Sequence, residues 1–156
     1  MQAATNIPVT VKSRIGIDDQ DSYEFLHKFI DVVSQADCKS FIIHARKAWL
    51  SGLSPKQNRE VPPLDYKRVY QIKKDFSHIQ ISINGGIKTF EEANEHLKHI
   101  DGVMIGREIY QNPYMLVDAD NTIYQTNTDI LSREQIIEIM ESAVKLQVPN
   151  KVDYEE

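Results

Sequence analysis

Residues 79–107, IQISINGGIKTFEEANEHLKHIDGVMIGR, carry the pattern that decides the fold. The alternating run Ile79-Gln80-Ile81-Ser82-Ile83-Asn84 reads as a strand and stops at Gly85-Gly86. Thr89 with Glu92 three residues later is a helix-capping pair, and the helix it opens runs through Leu97. A second apolar run, Gly102-Val103-Met104-Ile105-Gly106, then closes at Arg107. Asn84-Gly85 alone would suit a type I′ hairpin, but a helix cap follows it where a hairpin needs an alternating strand. Strand, helix, strand is the unit that joins parallel strands.

The same alternation extends upstream. Pro8-Val9-Thr10-Val11-Lys12-Ser13-Arg14 is β-rich and closed by Gly16, and Asp21 with Glu24 opens a helix whose stripe is Leu26, Phe29, Ile30 and Val33. Phe41-Ile42-Ile43-His44-Ala45-Arg46 is the next strand, followed by a long polar loop to Pro62-Pro63 and a helix bearing Tyr66, Val69, Tyr70 and Lys73. Downstream, Asn112-Pro113 marks a turn, residues 118–129 are polar and rich in Asn and Thr, and Ser132 with Gln135 caps a last helix with the stripe Ile136, Met140, Ala143 and Val144. Four such βα units fit a doubly wound open sheet or part of a (β/α)8 barrel. A whole barrel takes about 250 residues, so a barrel here is half of one.

Composition bounds the function. The chain has 156 residues, 41% hydrophobic and 26% charged, with one cysteine, six glycines and six prolines, as an ordinary globular domain does. One cysteine excludes a disulfide framework and a cysteine-rich zinc module. No apolar run is long enough to cross a bilayer and no signal-like start is visible, so a cytoplasmic protein without a membrane partner is expected. The formal net charge of −5 argues against non-specific coating of nucleic acid. A local basic patch remains, in Lys47, Lys56 and Arg59. No metal site is expected: His96 and His99 lack further ligands at suitable spacing, and Asp18, Asp19 and Asp21 lack the Gly and closing Glu of a calcium loop. Cys38 precedes a strand, on the face of such a sheet that serves stability, and reads as structural.

Functional groups in parallel α/β proteins gather at the carboxyl ends of the strands. Here those ends carry Lys12 and Arg14, His44 and Arg46, Asn84-Gly85-Gly86, and Gly106-Arg107. They are cationic, hydrogen-bonding or bare backbone, with no carboxylate, as a phosphorylated, electron-rich ligand requires. Gly-Gly lets backbone approach such a ligand, the following helix start attracts an anion, and Arg107 adds a guanidinium suited to phosphate. Lys12 reads as a contact to a flavin or phosphate oxygen. His44 is left open between a buried structural histidine and a ligand contact.

Five of these motifs resemble the A-type bacterial tRNA-dihydrouridine synthases: residues 9–19, 41–56, 62–66, 82–87 and 101–107, in that order. The resemblance runs from about Ile7 to Pro113. It implies the second half of an FMN-binding (β/α)8 barrel over residues 1–117, a linker at 118–130, and the start of a helical tRNA-binding domain at 131–156. It implies NADPH as reductant of the flavin and reduction of uridine to 5,6-dihydrouridine in the D loop of tRNA. Lys12, His44, Asn84, Gly85, Gly86, Gly106 and Arg107 resemble the family's FMN-binding residues, and Lys56, Gln57 and Arg59 fall in its tRNA-contacting loop. The family's acid cysteine belongs to a half of the barrel that lies before Val9, so no catalytic residue is assigned. The expected fragment is inactive alone and self-associates through open sheet edges. Two other readings compete: a non-catalytic flavin- or phosphate-binding half-barrel, and another phosphate-binding barrel enzyme, such as a phosphosugar isomerase or synthase. The loop from Lys47 to Pro63 favours the synthases over the latter.

Overall fold

The computed structural model of the chain describes residues 4–147. It contains four strands, β1 (Val11–Arg14), β2 (Ser40–His44), β3 (Gln80–Asn84) and β4 (Gly102–Met104). They form one parallel sheet in the order β1-β2-β3-β4. A sequential order lacks the reversal that defines a doubly wound sheet, so of the two architectures the sequence allowed, the barrel kind is the one whose strand order is seen. Helices α1 (Tyr23–Gln35), α2 (Tyr66–Asp75) and α3 (Phe90–Leu97) are the crossovers, and α4 (Arg107–Gln111) follows β4. The chain divides into two compact units, with the boundary after Tyr110.

Strand alternation sorts the side chains onto two faces. Phe41 and Ile43 of β2 and Ile81 and Ile83 of β3 are fully buried. Leu26 and Ile30 of α1, Val69 and Ile72 of α2 and Ala93 of α3 complete that core. Register aligns the other face in two rows, Lys12–Ile42–Ser82–Gly102 and, one level nearer the carboxyl ends, Arg14–His44–Asn84–Met104. None of these eight residues is buried.

Local chemistry departs from expectation in two places. Ser22, not Asp21, caps α1, its hydroxyl accepting from the Phe25 N–H, because the Asp21 carboxylate is taken by Lys47 Nζ at 2.6 Å. The stretch read as a linker contains a 3₁₀ segment ending at Asp118 and helix α5 (Ala119–Tyr124). Its polar residues fold back on themselves: Asn121 accepts from the Thr128 N–H and donates to the Thr128 carbonyl, both at 2.9 Å, across a left-handed Gln125. Beyond it, Ser132 and Gln135 form the reciprocal cap expected at the start of α6 (Arg133–Gln147). Expectations on residues 148–156 lie outside the described residues.

Candidate functional site

The carboxyl-end row holds Arg14, His44 and Asn84; Lys12, expected at the end of β1, stands one row deeper in that strand, and Gly106-Arg107 follow β4. Lys12 Nζ donates to Asn84 Oδ1 at 3.2 Å, and Asn84 Nδ2 donates to the Met104 carbonyl at 2.8 Å. Asn84 therefore orients the lysine and ties the ends of β3 and β4. His44 lies beneath the glycine turn: a Cβ at Gly85 would stand 2.5 Å from His44 Cδ2 and 3.1 Å from Leu64 Cδ2. Gly85 and Gly86 take φ values of +118° and +74°, which exclude most other residues. Gly86 is exposed, and a Cβ on Gly106 would meet nothing within 4 Å. Both turns can thus be approached closely by a ligand.

Charge is concentrated at this end. Burial first, and then the charges of Arg14, Lys12, Arg46 and Arg107, push His44 down to about 4, so the imidazole is neutral at pH 7. A neutral ring keeps one donor and one acceptor and cannot serve as a cationic acid. A carboxylate enters the cluster from the loop after β2: Glu60 Oε1 pairs with Arg107 Nη1 at 3.0 Å. Arg46 Nη1 holds the same loop by the carbonyls of Glu60, at 2.9 Å, and Pro62. Its Nε is buried without a hydrogen-bond partner among the described residues.

The loop residues expected to touch a polynucleotide lie on a 3₁₀ turn, Gln57–Arg59, preceded by Lys56. Arg14 fastens this turn to the strand ends by donating to the carbonyls of Lys47 and Asn58, each at 2.9 Å. Lys56, Gln57 and Arg59 are all exposed, and Gln57 Oε1 accepts from the Ser54 N–H at 2.9 Å. Lys47 does not belong to the open basic patch the sequence suggested, because Asp21 neutralises it.

Glu60, Leu64 and Tyr66 are the members that sequence reasoning missed. The sequence pattern puts Tyr66 in a helix stripe, yet its hydroxyl donates to the Gly85 carbonyl at 2.8 Å, and no periodicity links residues 19 apart. Cys38 is buried, its Sγ 3.5 Å from the carbonyls of Val9 and Ser40, as a structural cysteine is. Among the described residues there is no group of side chains able to hold a metal ion, and no helix long and apolar enough to cross a membrane.

Comparison with known proteins gives a consistent picture. The family model described as dihydrouridine synthase (Dus) matches residues 1–155. The chain is 60% identical over 151 residues to tRNA-dihydrouridine(20/20a) synthase of Vibrio vulnificus, covering 96% of the chain and 46% of that relative. It is 57% identical over 156 residues to the protein of that name in Shewanella oneidensis, covering 99% of the chain and 47% of the relative. To the Salmonella typhimurium protein it is 67% identical over 129 residues, covering 82% and 39% respectively. The chain thus spans less than half the length of these relatives.

Proposed function

The chain belongs to the dihydrouridine synthase family, and on that premise we propose that it is the second half of a (β/α)8 barrel that binds FMN and reduces uridine to 5,6-dihydrouridine in the D loop of tRNA. On this reading residues 1–117 are barrel, the helical tRNA-binding domain begins near residue 131, and the protein works in the cytoplasm with NADPH as reductant. One observation carries the proposal: Lys12, Arg14, Arg46 and Arg107 and two glycine turns converge at one end of a single parallel sheet, with Glu60 paired to Arg107 there.

The donor set fits FMN. Exposed backbone at Gly86 and open space at Gly106 suit a phosphate, and Arg107, with five guanidinium donors, engages Glu60 through Nη1. Lys12, held by Asn84, is the donor suited to the flavin ring, and His44 is an uncharged contact beside it. Bound FMN supplies hydride chemistry for the C5–C6 double bond of uracil. This chain's residues bind and orient: Lys56, Gln57 and Arg59 face tRNA, on a turn that Arg14 fixes to the strand ends. The 156 residues include one cysteine, Cys38, and it is buried among carbonyls. It is therefore not the acid cysteine that the resemblance implies for uracil C5.

Titration of the purified protein with FMN, followed by flavin fluorescence, tests the proposal. Saturable binding that Arg107→Ala weakens about tenfold or more, the scale of a charge-assisted contact, is the expected result. No binding, or binding indifferent to Arg107, overturns it. The 156 residues alone, given FMN, NADPH and tRNA, should form no dihydrouridine, and its appearance would refute that part.

A further inference from the structure

We propose that Tyr66 is a positioning residue for anion recognition, its hydroxyl fixing the orientation of the Gly85–Gly86 peptide so that the Gly86 N–H faces the ligand; the inference rests on the FMN-phosphate reading above. The Tyr66 hydroxyl donates to the Gly85 carbonyl at 2.8 Å. In a planar trans peptide the carbonyl and the following N–H point in opposite directions. With the carbonyl of Gly85 held inward by Tyr66, the N–H of Gly86 points outward, and Gly86 is exposed.

A peptide between two glycines is the one freest to flip, since no Cβ resists the change. A flipped peptide would present a carbonyl lone pair to a phosphate where an N–H is needed. What prevents the flip is one phenol hydroxyl. The phenol itself is firmly placed. It begins α2, where the Asp65 N–H donates to the Ala45 carbonyl at 2.8 Å and the Asp65 carboxylate caps the helix. Its ring meets the buried His96 edge-on, with centroids 4.4 Å apart, and His96 Nδ1 is in turn hydrogen-bonded to the Tyr70 hydroxyl at 2.6 Å. Leu64 fills the hollow beneath both glycines.

FMN and riboflavin differ by the phosphate alone, so their relative affinities isolate this role. In the purified protein, Tyr66→Phe keeps the ring against His96 and removes the hydroxyl. The expected result is about a tenfold loss of FMN affinity, the scale of one hydrogen bond, with riboflavin affinity unchanged and, because the buried Gly85 carbonyl loses its partner, a somewhat lower melting temperature. Tyr70→Phe leaves the Gly85 contact intact and should preserve the FMN-to-riboflavin ratio. Stabilisation by inorganic phosphate, read as a shift of melting temperature, should be present in the unmutated protein and reduced in Tyr66→Phe, a comparison valid even for a less stable variant. A Tyr66→Phe protein with the unmutated ratio and phosphate shift, or one that loses both flavins equally, overturns the inference. Unmutated protein that does not prefer FMN to riboflavin refutes the phosphate reading itself, and the inference with it.

Discussion

At the scale of single residues, the two glycine turns differ in kind. Gly86 has φ +74° and a Leu64 methyl 2.6 Å from where a Cβ would stand, so Gly86→Ala should destabilise the fold by about 1–3 kcal/mol. Gly106 has open space, so Gly106→Ala should change stability by less than about 0.5 kcal/mol yet weaken FMN binding. Thermal melting beside a flavin titration separates the two, and a large loss of stability at Gly106 would contradict this. His44 gives a pH signature. Its pKa is lowered to about 4 from an ordinary 6.5, so its contribution is full above pH 6.5 and is lost as pH falls toward 4. The ring is partly solvated, which reduces the effect to the order of 1 kcal/mol. The loss of stability between pH 7 and pH 4.5, from urea midpoints, should therefore be smaller in His44→Gln than in the unmutated protein, and equal losses would argue against the depressed pKa.

At the scale of elements, the sheet is held by its helix-facing row and by ties at its amino ends. Ile83 is fully buried, so Ile83→Ala should cost about 2–5 kcal/mol by lost burial plus a cavity. Asp101 Oδ2 accepts from the Ile81 N–H and from Lys73 Nζ, both at 2.8 Å, joining α2, β3 and the approach to β4. Asp101→Ala leaves both donors without that partner and should cost about 1–3 kcal/mol. Chemical denaturation reads each loss, and unchanged midpoints would contradict the assigned roles. Capping was legible where the partner was local, as in Ser132 with Gln135. It was misread at α1, where the expected cap, Asp21, is drawn to Lys47, 26 residues away in sequence.

At the scale of the whole chain, β1 and β4 are the edges of a parallel sheet whose second face, including Ile42 and Met104, is not buried. Parallel sheets are ordinarily covered on both faces, and unpaired edges seek partners. The 156-residue chain purified alone should therefore self-associate, and a clean monomer by light scattering would contradict this.

The sequence by itself determined the alternation of strands and helices, the core-facing positions and the glycine turns, because periodicity, capping pairs and left-handed glycines are local consequences of backbone geometry. It also placed His44 and Asn84 at strand ends, with Arg107 just beyond β4, since parallel sheets leave their carboxyl ends for ligands, whereas Lys12 stands one row back within β1. Only the tertiary structure decided the sequential strand order, the neutrality of His44, the pairing of Glu60 with Arg107 and the hold of Tyr66 on Gly85. Each of these depends on groups far apart in the chain becoming neighbours, and distance in space is what no local pattern encodes.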